Sequence, residues 1–201
     1  NQNNPDAQFN LGLIYHLGKY NHQDIDKAIK YYLLAAAQNH IKAQYNLGTI
    51  YYSGKYIKKD INKAIYYFTL ASNQNDAYAQ FNLGILYYQY FSQKINKAIY
   101  YFSQASNQNI SIANFYLGII YYEGKYIPRD INKSIHYFSL ASNQNYYEAN
   151  YYLGVIYSDG QYINRDINKA IKYYKIASNH NHVQAQFDLG LIYNEGKYVK
   201  H

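Results

Sequence analysis

Several side chains in this sequence could carry out chemistry, but none of them forms a catalytic pattern. The 12 carboxylates mostly precede helices or flank glycines, and no pair suggests an acid and a base held in different environments. Serine recurs mainly in an Ala-Ser-Asn-Gln-Asn run, without a histidine at a fixed distance. The sequence has no phosphate-binding loop, dinucleotide fingerprint or zinc-protease helix. We therefore expect neither enzymatic activity nor a cofactor.

Metal binding is the one chemistry that the histidines suggest. His180 and His182 lie two residues apart at an expected turn between helices, but a third ligand is not close in sequence. Solvated turn histidines are the simpler interpretation, so we expect no metal site. Cysteine is absent, which excludes disulfides and thiolate chemistry. Its absence favours a reducing compartment, and we lean toward a cytoplasmic location.

The repeating elements of the chain explain more than its isolated side chains. The dipeptide Leu-Gly recurs six times at intervals of 36, 36, 34, 36 and 36 residues, with alanine four residues before each leucine and tyrosine three after each glycine. A fixed period of this size predicts a stacked array of repeats. The repeat glycines, which we expect to be structural, are Gly12, Gly48, Gly84, Gly118, Gly154 and Gly190.

Each unit should contain two helices, because its small and large residues recur three and four positions apart. In the second unit these helices cover roughly residues 43–53 and 60–74. Small residues such as Gly48 and Ala64 should let two helices approach closely, while larger ones fill the remaining space. Aspartates should cap the second helices, at Asp24, Asp60, Asp130 and Asp166. Left-handed residues should end the helices, at Asn39, Asn75, Asn109, Asn145, Asn181 and at Gly18, Gly54, Gly124, Gly160, Gly196.

The predicted organisation is a single array over residues 1–201, with units at about 5–40, 41–76, 77–110, 111–146, 147–182 and 183–201. The last unit is an unpaired first helix, Val183 to Glu195. Neither end has a polar cap and position 1 is asparagine, so we expect a segment of a longer chain, truncated at both ends. No apolar run is long enough to span a membrane. The turn after Tyr88 is two residues short, which is either neutral drift or a local change that shapes a docking notch.

The repeated pattern resembles the Sel1-like repeat. It reads A-x-x-x-L-G-x-x-Y-x-x-G-x-x-x-x-x-D-x-x-K-A-x-x-Y-F-x-x-A, and its clearest copies run from Ala43 to Ala71 and from Ala149 to Ala177. That family is similar to the tetratricopeptide repeat but has a longer turn within each helix pair. The resemblance implies an all-α solenoid with a right-handed superhelical twist. It also implies a scaffold or adaptor that brings other proteins together, in signalling, cell-wall regulation or membrane-associated quality control.

The first helices should line the concave face, the usual binding surface of such arrays. Counting from the repeat alanine, the second, sixth and ninth positions are expected to face a protein partner, the sixth being Thr49, Ile85, Ile119 and Val155. The candidate residues are Tyr45, Tyr52, Phe81, Tyr88, Phe115, Tyr122 and Tyr151. The alternative is that tight winding buries these side chains between units, so that the aromatic stripe is part of the core.

Two other functions remain open at this stage. One is a structural subunit built permanently into a large assembly. The other is nucleic-acid binding, because basic residues recur in the long turns and would lie along one edge, although the capping aspartates lie on that edge too and the net charge is only +7. The basic turn residues are Lys19, Lys55, Lys58, Lys59, Lys125, Arg129, Arg165 and Lys197.

Overall fold

The computed structural model describes residues 3–18 and 22–194, and this part of the chain contains eleven α-helices and no strand. The helices are α1 Pro5–Leu17, α2 Ile25–Ala37, α3 Ile41–Ser53, α4 Ile61–Asn73, α5 Ala77–Tyr90, α6 Ile95–Asn107, α7 Ser111–Glu123, α8 Ile131–Asn143, α9 Glu148–Asp159, α10 Ile167–Asn179 and α11 Val183–Asn194. The predicted all-α class is confirmed. Four sequence-based assignments, at Lys19, Glu195, Gly196 and Lys197, lie outside the described residues.

The second helices begin where the aspartates predict. Asp24, Asp60, Asp130 and Asp166 each accept a hydrogen bond from the backbone N–H three residues on, at 2.9–3.0 Å. The N–H of each aspartate in turn donates to a carbonyl near the end of the preceding first helix, as from Asp60 to Tyr51 at 3.0 Å. One residue therefore caps a helix and closes the long turn, which fixes the pairing of the two helices.

The second helices end on asparagines in the left-handed conformation. All five have positive φ, between 62° and 66°, as predicted, and so do Gly18, Gly54, Gly124 and Gly160. The residue after each asparagine donates its N–H to the carbonyl of the last repeat alanine, as from His40 to Ala35 at 3.1 Å. This bond is the long one of a Schellman motif, and it turns the chain directly into the next first helix.

Contacts divide the chain into two compact units, Asn1–Gln104 and Ala105–His201. In the first unit the core contains Ala28, Tyr32, Ala43 and Leu47, none of them solvent-exposed. In the second unit Phe138 and its repeat neighbours are buried in the same way. Each core is thus built from small residues and one aromatic ring per helix pair, as the repeat pattern predicts.

A second aromatic contact holds each pair together near the long turn. The tyrosine three residues after each repeat glycine stacks on a tyrosine of the second helix, as Tyr51 does on Tyr67, with ring centroids 5.7–5.8 Å apart in all five pairs. The ammonium of a lysine on the second helix lies over the same ring, as Lys63 does over Tyr51 at 5.0 Å. The five lysines lie 5.0–5.2 Å from their ring centroids. Stacking and cation–π attraction therefore act on the same tyrosine.

The short turn after α5 keeps both of its helices in place. A 3-10 helix, Ser92–Lys94, replaces the glycine and the aspartate cap, and the side chain of Ile95 remains buried. The backbone N–H of Lys94 donates to the Phe91 carbonyl at 2.7 Å. The deletion therefore changes the turn without displacing α6 from the first unit's core.

Candidate protein-binding surface

The seven predicted binding residues all lie on first helices. Tyr45, Tyr52, Phe81 and Tyr88 belong to the first compact unit, and Phe115, Tyr122 and Tyr151 to the second. Every one of them is half-buried, neither freely exposed nor sealed in the core. Most of each ring is therefore covered by its own chain, as the core alternative requires, while one edge reaches solvent.

The rings two residues after the repeat alanine rest on the buried core. Tyr45 lies tilted against Phe68, which has no exposed surface, with ring centroids 5.7 Å apart. The same contact recurs in five helix pairs with centroids 5.7–6.0 Å apart. The core ring thus supports the outer one from behind, and the outer ring loses little freedom if a partner covers it.

The residue nine positions after the alanine is matched to the core ring beneath it. Where that ring is a tyrosine, the ninth position holds a small polar partner: Ser158 Oγ lies 3.0 Å from the Tyr174 hydroxyl, and His16 Nδ1 lies 3.3 Å from the Tyr32 hydroxyl. Where the ring is a phenylalanine, the ninth position is a tyrosine, at Tyr52, Tyr88 and Tyr122. A buried hydroxyl is therefore given a partner, and a surface ring appears only where none is needed.

In the second unit the surface rings form a continuous cluster. Tyr152 stacks on the core ring Phe138, with centroids 5.1 Å apart. It also contacts Phe115 at 5.6 Å, Tyr122 at 5.8 Å and Tyr151 at 5.5 Å. Sequence reasoning missed Tyr152, because its position within the repeat holds asparagine in the first three units. The available signal was the replacement of that asparagine by tyrosine at position 116 and again at 152.

Burial and nearby carboxylates shift the titration of these tyrosines. Burial raises the pKa of Tyr152, and Glu148 and Glu123 raise it further. Burial likewise raises the pKa of Tyr151 and of Tyr122, with added contributions from Asp188 and Asp159 respectively. Arg129 opposes the effect at Tyr122. The phenols therefore stay protonated and sit in a negative local field.

Five of the six repeat glycines make room for the core ring rather than for a neighbouring backbone. A Cβ atom built on Gly48 would lie 2.6 Å from Cδ1 of Phe68, and the same position in four other units gives 2.5–2.6 Å. At Gly190 nothing lies within 4 Å of such an atom. At these five glycines the nearest neighbour is therefore an aromatic ring, whereas the sequence predicted a close approach of two helix backbones.

Buried amides link the helices around this core. Gln44, which is 1% exposed, accepts a hydrogen bond from the Gln74 amide at 2.8 Å and donates to the Ala36 carbonyl at 3.2 Å. In the second unit Asn114 occupies the same position and donates to Gln144 at 3.1 Å. No buried side-chain N or O atom lacks a partner in residues 3–18 and 22–194.

The turn edge, the alternative nucleic-acid surface, has several cations held against tyrosines. Lys59 Nζ donates to the Tyr90 hydroxyl at 2.7 Å and lies 4.9 Å from the Tyr52 ring centroid. The Arg129 guanidinium lies 4.5 Å from the Tyr162 ring centroid and donates to its hydroxyl, and to the Glu123 carbonyl at 3.1 Å. Cations engaged in this way tie one turn to the next, which reduces what they can offer to phosphates.

The two histidines considered for metal binding point to different partners. His182 accepts the Ala185 N–H through Nδ1 at 3.1 Å, and its Nε2 lies 3.2 Å from Glu148. The ring of His180 instead stacks on Tyr147. Within the described residues no three histidine or acidic side chains lie close enough to hold a metal ion, and no helix there is both long and apolar enough to cross a bilayer.

Comparisons with known proteins agree with this architecture. A Sel1 repeat protein from Oxalobacter formigenes is 32% identical, over 97% of this chain and 80% of its own length, with a TM-score of 0.78. The protein c5321, a protective antigen present in uropathogenic Escherichia coli strains and displaying an SLR fold, is 29% identical over 97% of this chain and 42% of its own, with a TM-score of 0.81. Cysteine-rich protein B of Helicobacter pylori is 28% identical over 68% of this chain and 99% of its own, at a TM-score of 0.50.

The curated proteins contain no match to this sequence. The Sel1 repeat family model, in contrast, matches six successive segments, at residues 5–40, 41–76, 77–110, 111–146, 148–182 and 183–201. The first five matches fall on the helix pairs described above and the sixth begins with α11, and together they account for nearly the whole length. The chain therefore belongs to the Sel1 repeat family.

Proposed function

We propose that this protein is a non-enzymatic scaffold that binds segments of other proteins along the aromatic surface of its first helices. Sel1 repeat proteins generally mediate protein–protein interactions and are typically non-catalytic. One observation about this chain carries the proposal: surface rings recur at two positions of the first helices, and the ring two residues after the repeat alanine is held from behind by a buried ring. Half-buried, rigid aromatic side chains are common anchors for partners, because little side-chain entropy is lost on binding.

The test compares two pairs of tyrosines in the first unit. Tyr52→Ser with Tyr88→Ser removes two surface rings from first helices, at the position that holds Ser158 in another repeat. The matched control, Tyr66→Ser with Tyr100→Ser, removes two rings from second helices that are 58% and 57% exposed. Full-length protein of each kind is used to capture partners, which are identified by mass spectrometry. Melting curves establish that both variants are folded.

We expect the first-helix variant to lose specific partners that the wild type and the control variant retain. Recovery of the same partners in the same amounts by all three proteins would contradict the proposal. Partners lost only from the control would place binding on the second helices instead. A partner recovered in fixed stoichiometry through every wash would favour a permanent structural subunit over an adaptor.

A further inference from the structure

The second compact unit carries a surface that combines tyrosine rings with carboxylates. We call it the acidic aromatic face, and it consists of Tyr122, Tyr151, Tyr152, Glu123, Glu148, Asp159 and Asp188. The three phenol rings are half-buried and contact one another through Tyr152, at 5.8 Å from Tyr122 and 5.5 Å from Tyr151. The rings therefore form one patch rather than three separate side chains.

Carboxylates surround this patch on three helices. Glu148 lies one helical turn before Tyr152 and Asp159 two turns after it, so all three share a face of α9. Glu123 follows Tyr122 at the end of α7. Asp188 on α11 occupies the same repeat position as Tyr152 and accepts a hydrogen bond from Gln184 at 2.9 Å. The titration of the tyrosines supports the arrangement, since these carboxylates raise the pKa of the phenols beyond the effect of burial.

The first unit does not repeat this charge pattern. Positions equivalent to Asp188 hold asparagine, at Asn10, Asn46 and Asn82. The positions equivalent to Glu123 are neutral, and the position of Glu148 holds Asp6 in the first repeat, Lys42 in the second and Tyr78 in the third. The first unit therefore has one of these carboxylates where the second has several. The whole chain has a net charge of +7. A basic ligand is therefore repelled by the molecule in general and attracted only where carboxylates are concentrated.

Two arginines and a histidine lie beside the face, and each already has a partner. Arg129 donates to Tyr162 and to the Glu123 backbone carbonyl. Arg165 Nε donates to the Ser158 carbonyl, next to Asp159, at 2.9 Å. The His182 ring stacks on Tyr151 with centroids 4.4 Å apart, and its Nε2 lies 3.2 Å from Glu148.

We propose that the acidic aromatic face binds a basic segment of a partner protein, with lysine or arginine side chains lying over the phenol rings and between the carboxylates. This inference rests on the proposed scaffold function. The same unit contains an internal precedent for the contact, because Lys133 lies over Tyr121 and Lys169 over Tyr157, each at 5.0 Å from the ring centroid. Cation–π attraction and charge pairing favour the same ligand and would act together.

The test uses two short peptides labelled with tetramethylrhodamine, one of alternating arginine and serine and the other of alternating glutamate and serine. Binding to the whole chain is followed by fluorescence anisotropy. The double variant Glu148→Gln with Asp188→Asn removes two charges from the face while keeping amides that can accept hydrogen bonds. The matched control, Asp6→Asn with Asp26→Asn, removes two charges from the first unit. Asp6 is well suited, because it contacts His40 as Glu148 contacts His182.

We expect the arginine peptide to bind the wild type, and the face variant to bind it about tenfold more weakly, with a reduced dependence on salt. The control variant should bind it as the wild type does. Equal binding by all three proteins, no binding of the arginine peptide to the wild type, or preferential binding of the glutamate peptide would each overturn the inference.

The same variants separate this inference from the scaffold function. If captured protein partners depend on Tyr52 and Tyr88 but the face variant binds the arginine peptide unchanged, the scaffold proposal stands and the basic-segment inference fails. If no captured partner depends on Tyr52 and Tyr88, but the face variant binds the arginine peptide more weakly than the wild type does, the acidic aromatic face binds basic ligands. In that case the aromatic surface of the first helices is not where protein partners bind. Circular dichroism spectra of the variants exclude unfolding as the cause of either result.

Discussion

Replacement of a repeat glycine by alanine tests the packing on which the whole arrangement depends. In Gly48→Ala the new Cβ would lie 2.6, 2.7 and 2.9 Å from three atoms of the Phe68 ring. The ring would have to retreat by about 0.8 Å to reach an ordinary contact of 3.4 Å. Phe68 has no exposed surface, so it cannot tilt into solvent and must push its neighbours instead.

The expected size of the effect follows from two opposing contributions. Overpacking a filled core costs about 1–3 kcal/mol, and a fully enclosed ring places this site toward the upper end of that range. Alanine in place of glycine stabilises a helix interior by about 1 kcal/mol. We therefore expect Gly48→Ala to lower the free energy of unfolding by about 1–2 kcal/mol. Gly48→Val adds two more methyl groups to the same space and should abolish the cooperative transition.

Gly190 supplies the matched control, because a Cβ there meets nothing within 4 Å. Gly190→Ala should leave stability unchanged or raise it by up to about 1 kcal/mol through helix propensity alone. Urea unfolding followed by circular dichroism measures both variants under identical conditions. Equal changes of the same sign at the two positions would refute the steric explanation and leave only a helix-propensity effect.

A double-mutant cycle separates the ring contact from other causes. Phe68→Leu removes the ring that the new methyl group would meet, so Gly48→Ala should be less damaging in that background. We expect an interaction energy of at least about 1 kcal/mol between the two sites. Strict additivity would mean that Phe68 is not what excludes a side chain at Gly48.

Three further changes test the polar contacts around the core. Phe68→Tyr should lower the free energy of unfolding by about 1–3 kcal/mol, because its buried hydroxyl would lie beside Tyr52 and not beside a polar partner. Adding Tyr52→Ser should recover part of this loss, as measured by urea unfolding. Gln44→Leu should lower the free energy of unfolding by about 1 kcal/mol, since it removes the hydrogen bonds to the Gln74 amide and the Ala36 carbonyl, although that carbonyl still accepts the Asn39 N–H. Gln186→Leu at the exposed equivalent position should be nearly neutral in the same assay. Burial raises the pKa of Tyr174 from 10.0 to about 12, so the folded state holds a proton that the unfolded chain releases, and the free energy of unfolding should fall as the pH rises from about 10 to about 12. Tyr174→Phe should remove about 2–3 kcal/mol of that fall, measured from urea midpoints across the pH range with tyrosinate absorbance as the probe of ionisation.

Much of the fold could be predicted because its determinants are local. An aspartate three residues before the amide that it caps, or an asparagine that ends a helix, acts within a few residues of sequence. The helix pairing follows from the spacing of Ala64, Phe68 and Ala71, which places small and large side chains on one face. Each of these sequence patterns can be recognised within a single segment, and its recurrence in several copies of the repeat supports the prediction.

The partners of the polar side chains could not be predicted in the same way. Gln44 reads as an ordinary helix residue, yet its partner Gln74 lies 30 positions away on another helix. Lys59 reads as a solvated turn residue, yet it binds Tyr90, which is 31 positions away at the end of α5, just before the shortened turn. Which atoms meet depends on the packing of two helices or two turns, and periodicity fixes that packing only approximately.

The core and the candidate binding surface are not independent, and this constrains where specificity can arise. The aromatic stripe is interrupted at Ser158, and the structural reason is the Tyr174 hydroxyl beneath it, which takes Ser158 as a partner. The residue type at this position of the stripe therefore depends on whether the core ring beneath it carries a hydroxyl, and not only on contact with a partner. Residues outside this coupling are free to vary with the ligand. In the second unit Glu148 and Asp188 are of that kind, because the structure shows no hydrogen bond from either of them to a core ring among residues 105–194. A change of binding preference in this chain should consequently arise at the carboxylates around the rings before it arises at the rings themselves.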